Sequence, residues 1–468
     1  MPRLRIDHIE IEIQDGATVL DAAAKAGAKA GADIPTLCYT RQTGAQASCM
    51  VCVVKDAASG RMLPACSAKV DDGMEIDTGG DEVTSLRRET LLMLLSEHVG
   101  DCEAPCTRIC PASLDIPRMM RLIAGGDDGG AARVAKRDLV FPATLGRICG
   151  APCEKVCRRA QYDAAVGIRS CHGALGEGKP ERAAPSGKTV AVIGAGLAGL
   201  SAAFSCLLRG HACRVYDENL AACSTLRDRY GHQLPAEVLD AEIESIRVMG
   251  ADLMLGSVVD PAAVLSRFDA VIVACEAGAP AVPNVFRAVE HAVPVRSVAN
   301  GKAAAEVGDA FVRGVEQEQS NRRYNSAIGQ LRAEEMEAYG VTRLVDNPAS
   351  EAARCLGCDC RKPVSCKLRE YADRYGIRGP VNRHMDRPAV APIQVFGPVL
   401  FEPGKCIKCG ICVDLCRQSG GGLTFAGRGL DTRVELPPGV RISDDLAVRC
   451  AQSCPTGAMA VSACEEPL

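Results

Sequence analysis

The stretch "GKCIKCGICVDLCRQ", residues 404–418, sets Cys406, Cys409, Cys412 and Cys416 at C-x2-C-x2-C-x3-C. Thiolates at that spacing can wrap an iron–sulfur cluster, the fourth cysteine serving a second cluster whose own run ends in Cys-Pro. The chain closes that way, in "VRCAQSCPTG" with Cys450 and Cys454. Counting back from Cys450 at the same spacing reaches Ala447 and Asp444 instead of cysteines. Alanine offers no ligand.

These runs resemble a bacterial ferredoxin, and residues 393–468 are expected to form a C-terminal bacterial-ferredoxin-like domain. The resemblance implies that Cys406, Cys409 and Cys412 share one [4Fe–4S] cluster with Cys454, and the two missing partners leave Cys416 and Cys450 as relics. The intervening "LTFAGRGLDTRVELPPG" resembles the insert between the two halves in NADH dehydrogenase and hydrogenase subunits. Pro455 and Cys464 read as structural.

A length of 468 residues suggests three or four domains. The net charge of −4 presents no basic face for nucleic acid or anionic lipid. With 26 cysteines, no tryptophan and 3% aromatics, the chain reads as small modules held by something besides packing. The opening "MPRLRIDHIEIEIQDG" alternates like a strand and lacks an apolar signal core, and no window approaches 18 apolar residues. A cytoplasmic location without a membrane span is expected, which makes the cysteines metal ligands rather than disulfides. They fall in clumps at 38–66, 102–171, 355–366 and 406–464, with linkers expected at 173–189 and 376–392.

"LRIDHIEIEIQDGATVLDAAAKAGAKAGADIPTLCYT" reads as a β-hairpin and a helix leading to Cys38, Cys49, Cys52 and Cys66. A loop bearing three thiolates can wrap a [2Fe–2S] cluster while the fourth arrives from a strand. A four-cysteine zinc site also fits C-x2-C. The lead-in resembles the [2Fe–2S] domain of the NADH dehydrogenase large iron–sulfur subunit and of NAD-linked hydrogenases. That implies a β-grasp [2Fe–2S] ferredoxin domain over residues 1–80.

In the next segment, "CPASLDIP", "LGRICGAPCEKVCRR" and "VGIR" resemble the iron–sulfur domain of the glutamate synthase small subunit and dihydropyrimidine dehydrogenase. The resemblance implies a helical domain over 81–180 holding two [4Fe–4S] clusters, with ligands among Cys102, Cys106, Cys110, Cys149, Cys153 and Cys157. The family's leading "RCxxC" is missing just before Cys102. His98, at His-x3-Cys to Cys102 as beside the [2Fe–2S] domain of NADH dehydrogenase, or His172 could complete the ligands. A lone histidine is more often a hydrogen-bonding surface residue than a ligand. Cys171 has no family counterpart.

"KTVAVIGAGLAGLSAAFSCLLRGHACRVYDENL" is strand, Gly194-x-Gly196-x-x-Gly199, helix, strand and then Asp217. Glycines permit the tight turn and the approach of a pyrophosphate, and the acid accepts from a ribose hydroxyl. Residues 187–345 are expected as a Rossmann-like domain, resembling the FAD half of the glutamate synthase type, so FAD is a candidate cofactor. Three features depart from that family. "DENLAACSTL" lacks a Gly-Gly, Ala274-Cys275-Glu276 replaces Ala-Thr-Gly, and Val289-Glu290 replaces Gly-Asp. No second fingerprint marks an NAD(P)H domain. The competing reading is a degenerate domain kept as scaffold. Cys206, Cys213, Cys223 and Cys275 sit in apolar or helical context and read as structural.

"RCLGCDCRKPVSC" sets Cys355, Cys358, Cys360 and Cys366 within 346–376. Four thiolates so close can close around one centre, read as [4Fe–4S] ahead of zinc, and the run resembles the "RCLxCxC" element of related iron–sulfur subunits. The expected fold is multidomain, α+β and α/β, with one [2Fe–2S] and three to four [4Fe–4S] clusters. No nucleophile–base constellation shows itself, so no catalytic residue is assigned. The resemblances imply an electron-transfer subunit of a soluble NAD(P)-linked oxidoreductase, partnered by an NAD(H)-binding flavoprotein and a further redox subunit or ferredoxin. Two other readings are a self-sufficient flavin-dependent NAD(P)H reductase and a scaffold stabilised by its clusters.

Overall fold

Alternation in "RLRI" decides the first strand: Leu4 and Ile6 turn inward while Arg3 and Arg5 face out. The structure is a computed structural model, and it describes residues 1–27, 33–275, 282–315, 323–378 and 387–462. Glu276, Cys464 and the middle of the linker expected at 376–392 lie outside those residues. The chain forms two units. One comprises Met1–Glu103, Arg322–Arg343 and Asp359–Leu468, and the other Ala104–Asn321 and Leu344–Cys358.

In the first unit, Arg3–Ile6 pairs antiparallel with Ile9–Glu12 and parallel with Glu75–Asp77, and Val53–Asp56 and Arg61–Pro64 complete a five-stranded sheet. The expected hairpin is there, and so is the helix after it. That helix, Val19–Ala26, begins in a capping box in which Thr18 and Asp21 satisfy each other's backbone N–H groups. Its Val19, Ala22, Ala23 and Ala26 cover a core containing Ile6, Val54 and Ile76. Further along, Gln394–Phe396, Val399–Phe401 and Met459–Val461 make a three-stranded antiparallel sheet. Helices Ile411–Gln418 and Asp444–Ser453 pack beside it, and the insert forms a hairpin of Thr424–Ala426 with Arg433–Glu435. A second core joins Leu91, Leu95, Leu368, Phe401 and Leu415 with six buried cysteines.

The second unit opens with the helices Pro105–Ile109, Ile116–Ala124, Asp128–Leu139, Pro142–Ile148 and Ile168–Ala174. Five parallel strands follow, ordered Ala251–Leu255, Ala212–Asp217, Thr189–Ile193, Ala270–Val273, Val285–Arg287. Counted from the sheet's first strand in sequence, that order is 3-2-1-4-5. Helix Leu197–Leu208 lies along helix Pro294–Arg313, and their Ala198, Ala202, Ala304 and Ala305 are buried. Small side chains let the two backbones approach closely, which is how a chain so poor in aromatics fills this core. Among the described residues no helix is long and apolar enough to cross a membrane.

Candidate metal centres

The loop after the first helix turns through left-handed Ala47 and Met50, and it buries Cys38, Cys49, Cys52 and Cys66 together. Their sulfurs crowd one another. Hydrogen bonds from the Cys49 and Cys66 thiols, with the Cys49 and Ser48 amides, hold the Cys38 thiol far below its ordinary value. A hydrogen bond from the Cys66 thiol draws Cys52 down to about 7. Ser48 Oγ donates to the Cys409 carbonyl at 3.3 Å, joining this loop to the next group.

Cys406, Cys409, Cys412 and Cys454 line one cavity walled by Phe401, Ile411 and Met459. These are the four the sequence groups together. The Lys408 amide donates to Cys406 Sγ at 3.4 Å. Cys416 and Cys450 lie outside that cavity, fully buried, with sulfurs 3.9 Å apart. Ala447 is buried nearby on the same helix as Cys450.

The run 355–366 behaves differently from its reading as one centre. Cys360 and Cys366 line a cavity with Cys102 and His98, all in the first unit. The Cys360 amide donates to the Cys102 carbonyl at 3.1 Å, which fixes the pairing of segments far apart in sequence. Gly457 closes this cavity: a Cβ there would stand 2.0 Å from Cys360 Sγ. Burial pushes the Cys102 thiol up to about 11, against the pull of the Arg369 and Lys405 charges.

Cys355 and Cys358 instead line a cavity of the second unit with Cys106 and Cys157, walled by Ile116, Met120 and Ile168. A polar staple sets this register. Asp163 takes Arg159 Nε at 2.7 Å and Arg354 Nη2 at 3.1 Å, while Glu351 takes the Gly167 amide at 2.7 Å. Burial and the neighbouring Cys358 and Cys355 push the Cys106 thiol well up.

Cys110, Cys149 and Cys153 form the remaining group; burial, then Cys110 and Cys149, push Cys153 up to about 12. Helix Ile168–Ala174 lies against them, with Arg169 Nη1 donating to the Cys149 carbonyl at 2.9 Å. On that helix His172 is buried, its Nδ1 3.0 Å from the Pro142 carbonyl, and burial lowers it to about 4, so the ring is neutral. Cys171 is half-buried on the same helix. The six cysteines of 102–157 thus divide among three places. The sequence holds one partial clue: the "RCxxC" missing before Cys102 recurs as Arg354-Cys355-Leu356-Gly357-Cys358, though nothing local assigns Cys102, Cys106 and Cys110 to different partners. Among the described residues no three or more His, Cys, Asp or Glu side chains gather closely enough to hold a single metal ion.

At the fingerprint, Gly194 has φ +107° and packs under the Ala274 carbonyl, as the tight turn requires. Asp217 accepts from the Ala195 amide at 2.5 Å and from the Asn219 amide at 2.8 Å. A cavity of about 630 Å³ opens beside them, lined also by Cys275 and Glu290. Cys206, Cys213 and Cys223 are buried in the core of this unit.

Residues 2–80 match the family described as the 2Fe–2S iron–sulfur cluster binding domain, and residues 85–176 match dihydropyrimidine dehydrogenase domain II, 4Fe–4S cluster. The chain therefore carries a 2Fe–2S domain and a 4Fe–4S domain. It is 32% identical over 184 residues to the NADP(+)-dependent formate dehydrogenase subunit beta of Moorella thermoacetica, covering 33% of this chain and 26% of that protein. It is 30% identical over 195 residues to the NADPH-Fe(3+) oxidoreductase subunit beta of Geobacter sulfurreducens, covering 36% and 28%. With the NAD-dependent dihydropyrimidine dehydrogenase subunit PreT of Escherichia coli it shares 32% over 163 residues, covering 32% and 39%. The chain spans little more than a quarter of the length of the first two relatives.

Proposed function

We propose that this chain is the iron–sulfur electron-transfer subunit of a multisubunit NAD(P)-linked oxidoreductase. It carries electrons between a partner NAD(H)-binding flavoprotein and a further redox subunit or ferredoxin. The observation that carries this reading is the set of five separate, buried cysteine groups in one chain. The relatives' descriptions as oxidoreductase and dehydrogenase subunits support it.

Cys38, Cys49, Cys52 and Cys66 would hold the [2Fe–2S] cluster. The [4Fe–4S] clusters would be held by Cys406, Cys409, Cys412 and Cys454; by His98, Cys102, Cys360 and Cys366; by Cys106, Cys157, Cys355 and Cys358; and by Cys110, Cys149 and Cys153 with His172. His172 bonds a backbone carbonyl through Nδ1, as ligating histidines do, which leaves Nε2 for a metal. Bound clusters supply one-electron transfer. The chain's own contribution is spacing, dryness and charge: apolar walls exclude water, amides reach the sulfurs, and Arg369 and Lys405 bring positive charge to the His98 site. The Ser48–Cys409 bond keeps two of the groups adjacent.

The strand order 3-2-1-4-5 and the intact glycine turn support the Rossmann-like reading of 187–345. The FAD that reading implies does not fit, because the Glu290 carboxylate stands on Gly196 where the pyrophosphate belongs. The test is an anaerobic count of iron, sulfide and flavin. The expected result is about 18 irons per chain with no stoichiometric flavin. Low iron with zinc in its place sinks the proposal.

A further inference from the structure

Helix Leu197–Leu208 points its N-terminus into the 630 Å³ cavity at the carboxyl end of the parallel sheet. In a dinucleotide fold the second glycine lets the pyrophosphate reach the first-turn amides, whose charge and dipole favour an anion. Here those amides already have one. Glu290 Oε1 accepts from the Ala198 amide at 2.7 Å, and a Cβ at Gly196 would lie 2.2 Å from that same oxygen. The carboxylate fills the space the glycine leaves open. Its loop is held in turn, since Ser297 Oγ accepts from the His291 amide at 2.8 Å. Asp217, the ribose-binding acid of such folds, is also turned inward onto the Ala195 and Asn219 amides.

We infer that Glu290 is a built-in substitute for a dinucleotide's pyrophosphate, which keeps the fingerprint turn folded without a cofactor and makes the pocket refuse diphosphates. The turn, helix and cavity of a binding site persist; the specificity for a phosphate anion has been taken over by the protein's own carboxylate. This goes beyond the electron-transfer reading and stands or falls separately from it.

The experiment uses the full, cluster-loaded chain, with ADP as the diphosphate probe and FAD as the whole cofactor. Calorimetry should show no binding of either to the wild type at about 1 mM. Glu290→Ala frees the amides and the space, and should bind ADP at least about tenfold more tightly than wild type. Glu290→Gln removes the charge while keeping the shape, so its gain should be smaller but measurable. Without ligand, Glu290→Ala should melt below the wild type, and ADP should restore the loss. Wild-type chain that binds FAD or ADP overturns the inference. So do Ala and Gln variants of unchanged iron content that bind ADP no better than wild type. If Glu290→Ala fails to fold, Glu290→Gln decides alone.

Discussion

The runs Cys355–Cys366 and Cys406–Cys416 each carry four cysteines in about a dozen residues, yet they are built on different terms. In the second, left-handed Lys408 and Gly410 curl the backbone before helix Ile411–Gln418 begins, so three sulfurs converge on one cavity with no help from elsewhere. Only the fourth wall, Cys454, is distant. In the first run the chain passes from one unit to the other between Cys358 and Asp359. Cys355 and Cys358 face Cys106 and Cys157, while Cys360 and Cys366 face Cys102 and His98. Close spacing states that thiolates can converge; it does not state on what.

The sharpest way to break this contrast is the double variant Cys358→Ala, Cys360→Ala. Two separate centres predict a loss of about eight irons, whereas one centre built from the whole run predicts about four. Each single variant should lose about four, with different spectra, and Cys106→Ala should reproduce the Cys358→Ala spectrum. A smaller effect is expected from Cys416→Ala and Cys450→Ala, which touch the same helices as the ferredoxin-like group but not its cavity. Iron content should be unchanged and stability should fall by about 1 kcal/mol, the cost of a buried truncation. Loss of four irons from either would restore these relics as ligands.

The smallest effect concerns the staple beside Cys355. Hydrogen bonds from Arg159, then from the Ala164 amide, hold the Asp163 carboxyl below its ordinary 3.8. A carboxyl lowered in the folded state contributes stability that is fully present above 3.8 and lost as pH falls below it. Melting followed against pH should therefore show a steeper acid decline for the wild type than for Asp163→Asn. Equal slopes would remove Asp163 from the staple.

Much of the first unit was legible because its signals are local. Alternation in "RLRI", the Thr18–Asp21 cap and the ferredoxin spacing each act within a few residues. Cys416 and Cys450 could be expected as leftovers because two missing partners, Ala447 and Asp444, could be counted, and the two lie outside the cavity of the other four. The division of 102–157 among three places was not legible, since Cys102, Cys106 and Cys110 are evenly spaced on one segment and nothing local separates them. His172 was visible only as a histidine; the Pro142 carbonyl that orients it comes from another helix.

By itself, then, the amino-acid sequence determined how many thiolates the chain offers, which runs can curl around a cluster, and where a glycine turn opens a parallel sheet. Those properties follow from backbone geometry over a few residues. Tertiary structure alone decided which half-sites complete one another and that Glu290 comes to rest on Gly196. Both depend on bringing together segments with no sequence relation, and there burial, amide donors and a helix terminus select the partner.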